Sequence, residues 1–185
     1  MTSFEAEVPA DTPLAGSEAA VLLTTLERMR ALVEWKCSGL DAEGLRATHA
    51  PSTVTLGGLL KHLAAVEDSH FLRLMRDEKP GAPWDTVDWD ADPDWDWHTA
   101  ADDTPEELFA LWRAAVQRSR VLVAELLAEG GLDLVGTFVS SRTGESPSLR
   151  FAVVSMIEEY ARHAGHADLI RESVDGLVGE DPPRD

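Results

Sequence analysis

Few residues in this chain of 185 are equipped for chemistry: six histidines, one cysteine and a large set of carboxylates. Two of the histidines follow an acid at helical spacing, in Glu159-Tyr160-Ala161-Arg162-His163-Ala164-Gly165-His166. Steps of 100° per residue put Ala152, Met156, Glu159, His163, His166 and Ile170 in one helical stripe, with apolar flanks. Glu159 and His163 are therefore expected to face inward. A buried carboxylate is expensive unless it is paired, hydrogen-bonded or bound to a cation. At i and i+4 the Cβ atoms of such a pair stand roughly 6 Å apart, close enough to share one ion. A second helix offers a third ligand, His62, which stands between Leu59 and Val66 on the expected core side. Imidazole, carboxylate and imidazole from two helices form a facial triad with positions open to water or substrate. That is the pattern of a catalytic rather than a structural divalent site. Any one of these residues alone reads more simply as a satisfied core histidine or a helix-surface contact, and their convergence is what favours a metal.

The other candidates are weaker. His166 lies one turn beyond His163, where it would serve as a ligand, a partner orienting one, or a hydrogen-bonding group across the bundle. His70 is two turns from His62, roughly 12 Å along the axis at 1.5 Å per residue, too far to bind the same ion. His98 ends a Trp/Asp-rich connection and would reach the open side of the site only by a path that no spacing rule supports. Cys37 closes the first helix beside Lys36 and is expected to be a partly buried thiol rather than a nucleophile. As the sole cysteine it excludes an intramolecular disulfide framework and a cysteine-rich zinc module.

Four helices must position these groups. Ser17 caps the first, which runs to about Ser38 with Leu22, Leu26, Met29 and Val33 on one side and Glu27, Arg28, Arg30 and Glu34 on the other. Residues 41–54 read as a loop. The second helix is expected from about Thr55 to Arg76 or Asp77, with a stripe of Leu56, Leu59, Leu63, Val66, His70 and Leu74, and Lys79-Pro80-Gly81 stops it. Thr104-Pro105-Glu106-Glu107 is a capping box with proline at the first helical position and opens a third helix that runs to about Glu129. Residues 135–139 read as a short extended piece, and a fourth helix runs from about Ser146-Pro147-Ser148 to Val174. Residues 1–16 form an arm and residues 176–185 a polar tail. Four amphipathic helices of about 20 residues or more predict an all-α four-helix bundle in one domain, residues 1–185.

Between the second and third helices, residues 83–103 carry Trp84, Trp89, Trp95 and Trp97, four of the six tryptophans, among aspartates. Connections this long are either an ordered cover with solvated acids or a lid or binding loop. Composition narrows the partners. With 16 Lys+Arg against 34 Asp+Glu the formal charge is −18, which offers no footprint for a nucleic-acid backbone and disfavours an anionic membrane surface. With no apolar run long enough to span a bilayer and no leader-like N-terminus, a soluble cytoplasmic protein is expected.

The two ligand-bearing segments carry a resemblance. Thr55-Leu56-Gly57-Gly58-Leu59-Leu60-Lys61-His62-Leu63 and Glu158-Glu159-Tyr160-Ala161-Arg162-His163-Ala164-Gly165-His166-Ala167-Asp168 resemble the DinB-like superfamily. Within it, the resemblance is to the branch related to mycothiol-dependent enzymes such as maleylpyruvate isomerase. It extends over residues 18–172 and implies a four-helix bundle binding a divalent metal, zinc before nickel, iron or manganese, through the second and fourth helices. Carried over position by position, the ligands are His62, Glu159 and His163, the same three that the periodicity turns inward. His166 stands where much of the superfamily has glutamine. The implied activity is a metal-dependent transferase that activates a small thiol such as mycothiol and passes it to a small electrophile, with the Trp-rich connection walling an apolar pocket. A metal-dependent hydrolase and a non-catalytic metal-binding stress-response protein are the competing readings. A homodimer is also implied. The isomerase carries an additional C-terminal domain that this sequence lacks, so isomerisation is not expected.

Overall fold

Side-chain caps set where the helices begin in this computed structural model, which describes residues 11–183. The first part of the expected N-terminal arm and the last two residues of the polar tail lie outside that range. α1 (Glu18–Cys37) starts where Ser17 accepts from the Ala20 amide. Asp41 likewise caps a short helix, α2 (Ala42–Arg46), inside the segment expected to be all loop. Thr55 caps α3 (Leu56–Asp68) by accepting from the Gly58 amide. The expected second helix does not run on as a regular α-helix. After Asp68 it widens into a π-turn, Ser69–Arg73, and tightens again as α4 (Leu74–Arg76), ended by Asp77 in the left-handed conformation.

The Trp-rich connection folds partly into a 3₁₀ turn, Trp84–Thr86, and a short helix, α5 (Trp95–Thr99). α6 (Pro105–Gly130) begins with the capping box as read: Thr104 accepts from the Glu107 amide and Glu107 reaches back to the Thr104 amide. α7 (Leu149–Asp175) starts at Ser148, which accepts from the Phe151 amide, and ends at Gly176. Residues 135–139 do not make a strand. Val135 forms a single bridge to Ser148, and among the described residues no strand exists.

The architecture is all-α. α1 lies along α7, α3 along α6, and α3 also meets α7. One apolar core joins Leu26 and Val33 of α1, Leu59 and Leu63 of α3, Phe109 and Trp112 of α6, and Met156 and Tyr160 of α7. Among the described residues no helix is long and apolar enough to cross a membrane.

The polar side of α1 differs from expectation. Arg30 and Glu34 are both 3% exposed rather than solvated. Arg30 is held in a fork by Glu67 of α3, with Nε–Oε1 at 2.8 Å and Nη2–Oε2 at 2.7 Å. The Tyr160 hydroxyl donates to the same carboxylate at 2.8 Å and accepts from Trp112 Nε1 at 2.9 Å. Glu34 is paired with Arg113 of α6. Buried ions survive only when paired and hydrogen-bonded in this way. The network ties α1, α3, α6 and α7 together and fixes Tyr160, the neighbour of Glu159, against α3.

Candidate metal centre and adjoining cavity

α3 and α7 meet where His62 and the Glu159–His163 pair face each other. One ligand atom from each of the three residues lies within 4.8 Å of the other two. His62 Nε2 is 4.0 Å from Glu159 Oε2, and His163 Nε2 is 3.4 Å from the same oxygen. The first distance is beyond hydrogen-bond range and the second at its outer limit, and the three groups surround a common point among two imidazole nitrogens and a carboxylate oxygen. The side chain of His163 is nearly buried, whereas those of His62 and Glu159 are 22% and 34% exposed. Glu159 therefore sits at the rim rather than fully inward, because Tyr160, Ala164 and Ala167 form the innermost line of α7.

Both imidazoles are held from behind. Asp96 Oδ2 accepts from His62 Nδ1 at 2.8 Å, so Nδ1 carries a proton and Nε2 is the nitrogen that faces Glu159. Asp96 is 4% exposed, and its other oxygen accepts from the Trp97 amide. Trp97 stacks on the other side of the His62 ring at 4.6 Å and 25°. The stack depends on Gly58, one turn before His62, because a Cβ there would lie 2.7 Å from Trp97 Cε3. His163 Nδ1 is 3.3 Å from Nδ1 of the exposed His166, which makes His166 an orienting partner rather than a member of the cluster. Burial, and then the neighbouring His62, hold the His163 imidazole down at about 4, so it is neutral at pH 7 with a nitrogen lone pair to offer.

The Trp-rich connection is pinned to α3 along its length. Trp84 Nε1 donates to Asp68 Oδ2, Lys61 Nζ donates to Asp103 Oδ2, and the Lys61 ammonium lies over the Trp95 ring at 4.6 Å. Asp68 is itself held by Arg118 of α6. Under the connection is a cavity of about 380 Å³, walled by Val66, Trp84, Trp89 and Trp97 with His62, His70 and Arg73. That volume is at the small end of ligand pockets. The connection is thus both cover and pocket wall, and Asp96 is the one among its acids that is buried.

The remaining sequence candidates separate clearly. His70 is outside the cluster, as its distance along the helix required, but it lines the cavity. His98 turns to solvent and pairs with Asp92 at 3.0 Å, so it plays no part in the site. Cys37 is fully buried, its thiol pushed up to about 12 by burial, and its Sγ is 3.8 Å from the Leu56 carbonyl. Asp96 was invisible in the sequence because nothing periodic orients one acid among Asp90, Asp92, Asp94 and Asp96. The only sequence signal was its place between two tryptophans in an acidic connection.

The donor set fits a divalent cation on the chemistry of its atoms. Two imidazoles and a carboxylate converge, and the imidazoles' far nitrogens are engaged by Asp96 and His166. Comparison with known proteins adds one finding: the family model described as mycothiol-S-transferase matches residues 21–176. A search of curated proteins returns no match.

Proposed function

Because the chain belongs to the mycothiol S-transferase family, within the DinB-like superfamily, we propose that it transfers a low-molecular-weight thiol of the mycothiol type to a small electrophile. His62, Glu159 and His163 would hold a divalent cation for this reaction, with zinc ahead of nickel, iron or manganese. The observation that carries the reading is the position of the cluster: His62 belongs both to the convergent N, O, N group and to the wall of the Trp-lined cavity. A bound divalent cation supplies a Lewis-acidic centre that lowers the pKa of a coordinating thiol.

The protein's own residues supply positioning. Asp96 and Trp97 fix the His62 ring by a hydrogen bond and a stack on its face. His166 supports His163. Trp84, Trp89 and Val66 give the cavity apolar surface, which suits an electrophile with an apolar body and excludes bulk water from the reacting atoms. Cys37, buried and protonated, is not the nucleophile.

Purified protein loaded with zinc, given mycothiol and monochlorobimane, tests the proposal by following conjugate formation and thiol loss together. The expected result is protein-dependent conjugation that falls to background on chelation and in His62→Ala, Glu159→Ala and His163→Ala. An electrophilic ester probe hydrolysed without thiol consumption, in place of conjugation, would refute the transferase and favour the hydrolase.

A further inference from the structure

We propose that His70 is the proton acceptor for the thiol, a residue of the cavity rather than of the cation cluster. The proposal rests on the thiol-transfer reading above. His70 lies in the π-turn that interrupts the helix after α3, and such turns are frequently found at functional sites. Ser69, His70 and Arg73 of that turn form one side of the cavity whose other members include His62 and Trp97.

The tautomer of His70 is set by its backbone. Nδ1 lies 3.0 Å from the Val66 carbonyl oxygen, which can only accept, so Nδ1 carries the proton of the neutral ring. Nε2 is then the basic nitrogen, and it has no partner among the described residues. Burial lowers the pKa of His70, so the ring is neutral and able to accept a proton at pH 7. The charged groups around it are compatible with that role. Glu67 of α3 and Glu159 of α7 act on it electrostatically and favour the imidazolium once formed. Arg73 from its own turn and Asp94 and Asp96 from the connection line the same cavity. On α6, Arg118 is engaged by Asp68.

A thiol is mostly protonated at neutral pH, and transfer needs the thiolate. In the proposed step the S–H bond breaks, its electron pair stays on sulfur, and the proton moves to His70 Nε2. Sulfur then forms the S–C bond with its lone pair. With an epoxide, the C–O pair passes to oxygen, which takes the proton back from the His70 imidazolium. With a conjugate acceptor, the π pair passes to carbon, which takes it instead. With a halide leaving group, the halide departs with its electron pair and the imidazolium releases its proton to water.

Proton counting tests this without turnover. Mycothiol is titrated calorimetrically into the zinc-loaded protein at pH 7 in phosphate and in Tris, whose ionisation heats differ. In the wild type His70 keeps part of the thiol proton, so clearly less than one proton per bound thiol reaches the buffer. In His70→Asn, whose amide can still donate to the Val66 carbonyl, about one proton per bound thiol is released, as expected when a ligand must deprotonate to bind. Conjugation in that variant falls roughly 10²-fold or more, the usual worth of a positioned base. Equal proton release by wild type and variant, with zinc content unchanged, overturns the assignment. An independent measurement uses the wild type alone: the imidazole ¹⁵N spectrum should show Nε2 of His70 gaining a proton on thiol binding, and an unchanged signal overturns it. If the wild type takes up no mycothiol at all, the thiol-transfer reading itself fails and His70 loses the role with it.

Discussion

Replacing Asp96 with asparagine isolates what lies behind His62. The wild-type carboxylate uses one oxygen to accept from His62 Nδ1 at 2.8 Å and the other to accept from the Trp97 amide at 3.1 Å. Asparagine keeps the shape but has one oxygen. If that oxygen stays on His62, a charge-assisted bond becomes a neutral one, a loss of about 1–1.5 kcal/mol. At 1.4 kcal/mol per factor of ten, zinc affinity falls roughly five- to twelvefold. The new NH₂ then faces the Trp97 N–H, donor against donor, in a site only 4% exposed. Relieving that conflict adds to the loss, with about a hundredfold as the ceiling for partners of metal ligands. A competition titration of zinc against a chromophoric chelator at pH 7 reads the change. Asp92→Asn is the control, since Asp92 pairs with the exposed His98 and touches none of the three ligands. Asp96→Asn binding zinc within twofold of wild type, with its helical signal intact, would refute the reasoning.

Glu67→Gln should cost about 3–5 kcal/mol, because it strands the buried Arg30 guanidinium. Thermal unfolding should register this as a fall in Tm on the order of 10 °C, and a change below about 1 kcal/mol would show that Arg30 finds another partner. Gly165→Ala and Gly58→Ala both place alanine inside a helix, where it gains about 1 kcal/mol over glycine. Gly165 has no atom within 4 Å of the added Cβ, so that variant should be more stable in urea unfolding. At Gly58 the methyl meets the Trp97 ring, so the gain should vanish, tryptophan emission should change and zinc should bind more weakly. Cys37 should resist labelling by a disulfide reagent in the native protein and react only on unfolding, since its thiol stays protonated far above pH 7. Rapid native labelling would contradict its burial.

Much of the candidate site was legible because its information is local. A carboxylate and an imidazole four residues apart share a helix face in any α-helix, so Glu159 and His163 needed no tertiary knowledge to be paired. His62 followed from the apolar period of its own helix. The rest of the site was not readable in this way. His166 shares their face, yet it is exposed, because a stripe is wider than the line that packs. Asp96 is adjacent to tryptophans and acids alike, and only the docking of residues 83–103 on α3 decides that it alone is buried beside His62.

The same division runs through the fold. The chain's own order of residues determined the capped starts at Ser17, Thr55, Thr104 and Ser148, the all-α class and the separation of the four long helical segments. Capping and the helical period act across three or four neighbours and leave their mark directly on the string of residues. Tertiary structure alone decided that Arg30 and Glu34 turn inward, since their partners Glu67 and Arg113 are 37 and 79 residues away. It also decided that the second long helix opens into a π-turn beneath the tryptophans, placing His70 on the cavity wall. Whether a charged side chain is buried depends on the counter-charge and the surface that meet it, and these are brought there by distant parts of the chain.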